Sequence, residues 1–320
     1  MEYQAVGRSG LRVSQVGLGC NNFGRQCDFG TSRDIVHAAL DAGITLFDTA
    51  NVYGHGRSEE FLGQALKGLR QDVVIATKFG VHPGDGDGTD RGRLWIRAAR
   101  GDILRAISES LRRLGTDYVD LFQLHWPDPG TPIDEILATL DSLVRAGKVR
   151  YVGHSNFAGW QVVEAHYRAH SHNWTPFISS QSHYNLLHRN IEAEVVPACQ
   201  ACGLSVLPYF PLASGFLTGK YDRNSAPPAR SRLGQSAQTA RKVMSAKNWE
   251  LVEKLRAFAA ERGRSLTDLA LGWLAGRPPV ASVITGATTA AQIRGNVAAA
   301  AWRLTADDMA EVDKLSARPG

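Results

Sequence analysis

The chain has 320 residues, of which 43% are hydrophobic, and its 36 Lys and Arg against 31 Asp and Glu residues give a formal net charge of +5. This composition is ordinary for a globular protein with a large core. No block of basic residues is dense enough for a nucleic-acid-binding arm, and no apolar run is long enough to cross a membrane. We therefore expect neither nucleic acid nor a membrane as a partner.

The first residues and the cysteines bear on the compartment. The opening MEYQAVGRSGLRVSQ lacks the apolar segment of a signal peptide. Four cysteines in a chain of this length do not make a disulfide framework. Cys199 and Cys202 form a C-x-x-C, which we predict to close a helix and not to bind metal or act in redox exchange. We expect a cytoplasmic protein without a metal.

Strand and helix patterns alternate along the chain. A hairpin is predicted around Ser9-Gly10. Helical patterns then lie near 32–42, 58–68, 95–114, 132–146, 160–170, 191–202, 248–261 and 289–300, and a last helix follows Thr305. They separate eight apolar, strand-like runs, which end near Gly19, Asp48, Lys78, His125, Ser155, Gln181, Tyr209 and Gly286.

Sustained alternation of this kind predicts a parallel sheet. Eight units in this length match an α/β fold of the (β/α)8 TIM-barrel type, with residues 1–320 as one domain. A doubly wound open sheet is the alternative.

Two polar segments interrupt the alternation of strand and helix patterns. Residues 212–247 are rich in Gly, Ser, Pro and Arg and follow the seventh strand, and residues 84–93 form a shorter loop of the same kind. Long loops in compact domains are usually functional or disordered. We interpret the first as a lid over a ligand.

Four polar side chains lie at or near the ends of successive strands. Asp48, Lys78 and His125 close three of these runs, and Tyr53 follows the first by five residues. The carboxyl ends of parallel strands meet on one rim, where α/β enzymes place their chemistry. A nearby Lys lowers the pKa of a Tyr, so this set suits protonation of an oxygen that develops negative charge.

Each of these residues alone has a plainer interpretation. An Asp here is often a helix cap, a Lys is often solvated, and a His before Trp126 is often a satisfied buried group. The occurrence of three such residues at the ends of consecutive strands, with a Tyr within reach, favours carbonyl reduction. The hydride would then come from a cofactor.

The later strand ends suggest where a cofactor would bind. Ser155, Asn156 and Gln181 could satisfy a carboxamide, and Tyr209 could stack on a flat ring. Gly215 and Gly219 let backbone N–H groups approach a pyrophosphate, and the helix after Gly286 offers its amino end to a phosphate.

The substrate pocket is predicted on the same rim. The early GLGCNNFG lacks the spacing and the immediate helix of a dinucleotide-binding fingerprint, so we assign it to this rim. We expect Tyr53 and the lid loop to line the pocket together with four further aromatic walls, Phe23, Phe79, Trp95 and Trp126. His55, Arg57 and Arg91 could instead admit a polar or anionic substrate.

These residues together resemble the aldo-keto reductase family over nearly the whole chain. The resemblance rests on LFDTANVYGHGRSEEFLGQAL, VVIATKFG, YVDLFQLHWPD, VRYVGHSNF, FISSQSHYN and YFPLASGFLTGK. It looks closest to the bacterial branch that is similar to potassium-channel β subunits. It implies a (β/α)8 barrel with an N-terminal hairpin plug and NADP(H)-dependent reduction of an aldehyde or ketone.

The resemblance also assigns roles. Tyr53 is implied as the general acid-base, tuned by Asp48 and Lys78, with His125 orienting the carbonyl group. The implied cofactor contacts are Ser155, Asn156, Gln181, Tyr209, Pro211, Leu212, Gly215, Leu217, Lys220, Gly286, Thr288, Gln292 and Asn296.

Two positions depart from the family pattern. Many relatives have a basic residue at Thr288 and an acidic one at Gly295. Arg294, Arg230 or Arg232 could compensate, but NAD(H) stays possible beside NADP(H).

Two other functions stay open. One is a nicotinamide-sensing subunit with little or no turnover. The other is a Schiff-base lyase that uses Lys78, which requires a depressed lysine pKa. The carbonyl or alcohol substrate, the direction of reaction and the oligomeric state are not determined by the sequence.

Overall fold

The computed structural model describes residues 1–82, 95–229 and 231–317. The predicted loop 84–93, with Arg91, and the lid residue Arg230 lie outside these ranges. The described strands are β1 Tyr3–Ala5, β2 Arg12–Ser14, β3 Val16–Gly19, β4 Leu46–Asp48, β5 Val74–Phe79, β6 Val81–His82, β7 Trp95–Ile96, β8 Val119–Leu124, β9 Val149–Ser155, β10 Phe177–His183, β11 Ser205–Tyr209 and β12 Val283–Gly286.

Helices follow most of these strands. They are α1 Phe29–Asp41, α2 Arg57–Ala65, α3 Arg100–Leu114, α4 Ile133–Arg145, α5 Gly159–Ser171, α6 Val195–Cys202, α7 Ala237–Val243, α8 Ala246–Glu261, α9 Leu266–Ala275, α10 Ala290–Ala300 and α11 Ala306–Ser316. None of the helices in the described ranges is long and apolar enough to span a membrane.

Eight parallel strands form the barrel, in the order β11-β10-β9-β8-β5-β4-β3-β12. Strand β11, at one end of this order, also pairs with the segment just before β12, at the other end: the N–H of Val206 donates to the Pro279 carbonyl at 3.0 Å, and the N–H of Ala281 donates to the Val206 carbonyl at 3.2 Å. This near closure confirms the predicted (β/α)8 barrel and excludes the open sheet.

The predicted hairpin is the antiparallel pair β1–β2. Val6, Leu11 and Val13 are buried against an apolar cluster that includes Leu46 and Leu121. Leu46 lies two residues before Asp48 on β4, and Leu121 two before Gln123 on β8, so these leucines face the inside of the barrel. The hairpin therefore plugs the amino end of the barrel, opposite the rim that bears the polar side chains.

Local sequence signals explain several helix ends. Gly115 ends α3 with φ of 62°, a conformation that glycine adopts without strain. Thr305 opens α11 with a capping box to Asp308, as its position predicted. Cys199 and Cys202 lie in the last turns of α6, so the prediction that the pair closes a helix is confirmed.

Candidate active site

The four predicted side chains share the carboxyl rim of the barrel. Asp48 is the last residue of β4, Lys78 is next to last in β5, and His125 directly follows β8. Tyr53 begins the short 3-10 turn Tyr53–Gly56 after β4. The structure thus brings together all four residues.

Lys78 is the centre of this group. Its fully buried ammonium donates to Asp48 Oδ2 at 2.7 Å, to the Thr49 carbonyl at 2.8 Å and to the Tyr53 hydroxyl at 3.5 Å. The Nζ atom also lies 5.0 Å from the centre of the Tyr53 ring. Three oxygen atoms therefore fix the ammonium beside the phenol.

Asp48 is held in turn by two amides. Gln181 Nε2 donates to Asp48 Oδ1 at 2.8 Å, and Gln123 Nε2 donates to the same oxygen at 3.3 Å. Gln123 was not predicted. Its signal was a lone amide in an apolar strand, two residues before His125 and so on the same strand face.

Burial and charge set the protonation of the group. Burial raises the pKa of Tyr53, although the charge of Lys78 acts to lower it. The sequence predicted the effect of Lys78 but not that burial would outweigh it. Burial acts to lower the pKa of Lys78, yet Asp48 and Tyr53 prevail and the pKa is raised. The lysine is therefore an ammonium at neutral pH.

The imidazole of His125 is uncharged at neutral pH. Burial and the charge of Lys78 lower its pKa to about 3. Its ring lies edge-on to that of Tyr53, with 5.9 Å between ring centres. Within the described ranges its buried Nδ1 has no hydrogen-bond partner. A neutral imidazole can donate a hydrogen bond to an oxygen held against Tyr53.

The predicted carboxamide-binding side chains form one hydrogen-bonded chain. Tyr209 Oη donates to Asn156 Oδ1 at 2.8 Å, and Asn156 Nδ2 donates to Ser155 Oγ at 3.0 Å. Ser155 Oγ donates to the Gln181 carbonyl at 2.8 Å. Ser155 and Gln181 are almost fully buried, while Asn156 and Tyr209 are half-buried. Asn156 and Tyr209 are thus the members that offer surface to a ligand.

The segment after β11 has an unusual backbone. Phe210, Ala213 and Ser214 have φ of 53°, 47° and 59°, beside Gly215 at 90°. Non-glycine residues in this region are strained and cluster at ligand sites. Of the predicted contacts here, Pro211 and Leu217 are buried, Leu212 and Gly215 are half-buried, and Lys220 is exposed.

The predicted phosphate segment lies between β12 and α10. Gly286 and Gln292 are exposed, Thr288 is half-buried and Asn296 is buried. The Thr288 N–H donates to Gln292 Oε1 at 2.7 Å. The amino end of α10 therefore opens on the same rim as Tyr53.

Two of the predicted pocket walls are wrong. Phe23 and Phe79 are fully buried in the hydrophobic core, and Phe79 stacks on Phe122 at 4.5 Å. Neither side chain presents surface to a substrate. Trp95 and Trp126 are 68% and 42% exposed, so both have surface to offer.

Together these groups can hold a proton on the phenol beside a fixed positive charge, with a neutral hydrogen-bond donor alongside. Such a set stabilises an oxygen on which negative charge develops.

Comparison with known proteins agrees with this fold. Residues 15–317 match the sequence model of the Aldo/keto reductase family, so the chain belongs to that family of oxidoreductases. It is 36% identical to the uncharacterized oxidoreductase YrpG of Bacillus subtilis, over 100% of this chain and 97% of the relative. It is 38% identical to a probable voltage-gated potassium channel subunit beta of Oryza sativa subsp. japonica, over 93% and 91%. It is 33% identical to the L-glyceraldehyde 3-phosphate reductase of Escherichia coli O157:H7, over 98% and 92%.

Proposed function

We propose that this protein reduces an aldehyde or ketone to an alcohol, with a hydride from a nicotinamide cofactor and a proton from Tyr53. The observation that carries the proposal is the buried Lys78 ammonium, shared between Asp48 and the Tyr53 hydroxyl. A tyrosine beside a fixed positive charge can release a proton as charge develops on the carbonyl oxygen.

The neighbouring residues have separate tasks in this proposal. His125 donates a hydrogen bond to the carbonyl oxygen and orients it toward Tyr53. Lys78 stabilises the phenolate that remains after proton transfer, and Asp48 keeps Lys78 charged. In the reverse direction the phenolate accepts the proton of the alcohol.

The cofactor is proposed to be NADP(H), with NAD(H) possible. When bound, the nicotinamide supplies or accepts the hydride. The half-buried amide of Asn156 and the ring of Tyr209 have the chemistry to hold a carboxamide and a flat ring. The strained turn around Gly215, Lys220 and the amino end of α10 would hold the phosphates and adenosine, with Thr288, Gln292 and Asn296 nearest to the adenosine.

Names of relatives support a small carbonyl substrate. One relative is named as a reductase of L-glyceraldehyde 3-phosphate and another as a reductase of versiconal hemiacetal acetate. The exposed faces of Trp95 and Trp126 suit the apolar body of such a compound.

The direct test is consumption of NADPH and NADH over a panel of aldehydes, ketones and sugars. We expect oxidation of NADPH with at least one aldehyde, at a higher kcat/KM than with NADH. Equal kcat/KM for the two cofactors would contradict the NADP preference. Absence of oxidation with both would contradict the reductase proposal.

The likeness to a plant channel β subunit favours one second candidate, a nicotinamide-sensing subunit. This candidate predicts tight NADPH binding in a fluorescence titration with no turnover over the same panel. Lyase chemistry at Lys78 is disfavoured because Asp48 helps to raise the lysine pKa.

A further inference from the structure

The carboxylate of Asp48 is bound through both of its oxygen atoms. Oδ2 accepts the Lys78 ammonium at 2.7 Å, while Oδ1 accepts the side-chain amide of Gln181 at 2.8 Å and that of Gln123 at 3.3 Å. These donors come from three other barrel strands, β5, β10 and β8. Because both oxygen atoms are held, the carboxylate keeps one orientation, and that orientation decides where Oδ2 holds the ammonium.

The two glutamines differ in what else they can bind. Gln181 accepts the Ser155 hydroxyl at its carbonyl, within the set that is proposed to hold the nicotinamide carboxamide. Gln123 is fully buried, two residues after Leu121 of the apolar cluster inside the barrel. Within the described part of the chain, the Gln123 amide has Asp48 as its single hydrogen-bond partner. Since Gln123 presents no surface, it can act on a ligand only through Asp48.

The side-chain oxygen of Gln123 is unpaired. Oε1 is buried, and no donor in the described ranges meets it. The reverse orientation of the amide would set this oxygen against the charged carboxylate of Asp48, so the nitrogen faces Asp48. An unpaired buried oxygen lowers the stability of a fold, and an apolar side chain of the same length would avoid that loss. The contribution of the amide therefore lies in its bond to Asp48.

The register of the strands sets Gln123 beside Lys78. The two residues are directly opposite each other in the parallel pair of β5 and β8. Residues that are opposite in register project to the same side of a sheet, so both side chains point into the barrel. Gln123 thus supports Asp48 from β8 while Lys78 reaches it from β5. Without Gln123, Oδ1 of Asp48 would depend on Gln181 alone.

We propose that Gln123 is a positioning residue for the proton transfer, which holds Asp48 so that the Lys78 ammonium stays against the Tyr53 hydroxyl. Gln123 itself contacts neither the carbonyl substrate nor the cofactor. This inference rests on the proposed reductase function and adds a residue to the same site.

Gln123→Met tests the inference, because methionine keeps the length of the side chain and removes both polar atoms. We expect kcat for aldehyde reduction to fall by about three- to thirtyfold, with the Kd for NADPH within about twofold of wild type. The inflection of kcat/KM for alcohol oxidation should move up by about half a pH unit or more, since an ammonium held less closely lowers the pKa of Tyr53 less. The urea midpoint should not fall.

Gln15→Met is the matched control. Gln15 is also buried, but at the amino end of β3, and both ends of its amide are paired. Its Nε2 donates to the Ala275 carbonyl at 3.2 Å, and its Oε1 accepts Arg303 Nη2 at 3.0 Å. This change should lower the urea midpoint and leave kcat and the inflection as in wild type, the reverse of the result expected for Gln123→Met.

Two further variants separate positioning from packing. Because Gln123 acts through Lys78, Gln123→Met combined with Lys78→Met should lower kcat no further than Lys78→Met alone. In Gln123→Glu, a protonated carboxyl group can donate to Asp48 as the amide does, whereas a carboxylate cannot. The kcat of Gln123→Glu relative to wild type should therefore fall as the pH is raised.

Several results would overturn the inference. They are a Gln123→Met protein with the kcat and inflection of wild type, one that fails to fold or loses urea stability as Gln15→Met does, and losses that add in the double variant. A rise in the Kd for NADPH that accounts for the lost activity, or a Gln123→Glu protein whose ratio to wild type does not change with pH, would do the same. Wild-type protein that turns over no aldehyde or ketone with either cofactor would instead overturn the reductase proposal itself.

Discussion

Lys78 is the residue on which the proposed proton transfer depends. It is fully buried, yet it stays charged because Asp48 lies 2.7 Å away. Its charge opposes the effect of burial on Tyr53, whose pKa is raised on balance. The same contact explains why the lysine suits an electrostatic task better than a nucleophilic one.

Replacing Lys78 by Met should therefore raise the pKa of Tyr53 further. We expect kcat for reduction to fall by about ten- to a hundredfold, and the inflection for alcohol oxidation to move to higher pH. The pH profile of kcat/KM for oxidation checks this shift. Lys67→Met, at an exposed position, is the matched control. An unmoved inflection in Lys78→Met would show that the lysine charge does not act on Tyr53.

At the scale of an element, strand β9 carries an unusual buried imidazole. His154 is fully buried, and both ring nitrogens lack a partner among the described residues. Its ring stacks on Phe157 at 4.2 Å. Burial lowers the pKa of His154 to about 3.

We predict that His154→Leu raises the free energy of unfolding at neutral pH by about 1–3 kcal/mol, because it removes two unpaired polar atoms. The native wild type also binds fewer protons than the unfolded chain between the unfolded pKa of about 6.5 and the folded value of about 3. The free energy of unfolding of the wild type is therefore unaffected by the titration of His154 above pH about 6.5. Below that pH it falls with acidification by up to about 1.4 kcal/mol per pH unit.

Urea denaturation at neutral pH and at about pH 5 checks both parts of this prediction, since the variant should lose less stability on acidification. His172→Leu, at an exposed position, controls for loss of a histidine. Equal pH dependence of wild type and His154→Leu would contradict the assignment.

The elements also show what sequence patterns can and cannot predict. All eight barrel strands were predicted, because each apolar run ends near a polar residue or a glycine where the strand reaches the rim. Helix α9 was missed because eight of its ten residues are buried. A helix without a polar face lacks the periodic signal, although the Ser265–Asp268 capping box marks its start.

The candidate site, too, was predictable from the sequence only in part. Strand ends predicted which side chains would share the rim, as for Asp48 and Lys78. They could not predict burial, which raises the pKa of Tyr53 and leaves Phe23 without surface for a substrate. Long-range partners such as Asn22 with Arg232 depend on loop conformation, which no local pattern specifies.

At the scale of the whole molecule, the hairpin plug and the proposed reacting groups lie at opposite ends of the barrel. The hairpin closes the amino end, where the Gly7 N–H donates to Ser205 Oγ at 2.8 Å at the start of β11. The proposed reacting groups occupy the carboxyl rim. Changes at the plug should therefore alter stability without altering the site.

Leu11→Ala should lower the free energy of unfolding by about 2–5 kcal/mol, because Leu11 is buried in the apolar cluster at this end. The kcat and the Kd for NADPH should stay within about twofold of wild type at a temperature where the variant is folded. Leu69→Ala, at a leucine that is 36% exposed, should leave the free energy of unfolding, kcat and the Kd for NADPH nearly unchanged. A loss of activity in the folded Leu11→Ala protein would show that the two ends are coupled.

The central claim is that Tyr53 delivers the proton, and Tyr53→Phe tests it most directly. This change removes one oxygen atom and leaves the ring against His125 and Lys78. In steady-state reduction of the best aldehyde, kcat should fall by at least about a hundredfold, while the Kd for NADPH from fluorescence titration stays unchanged. Retention of more than about a tenth of kcat, with cofactor binding intact, would contradict the assignment of Tyr53 as the proton donor.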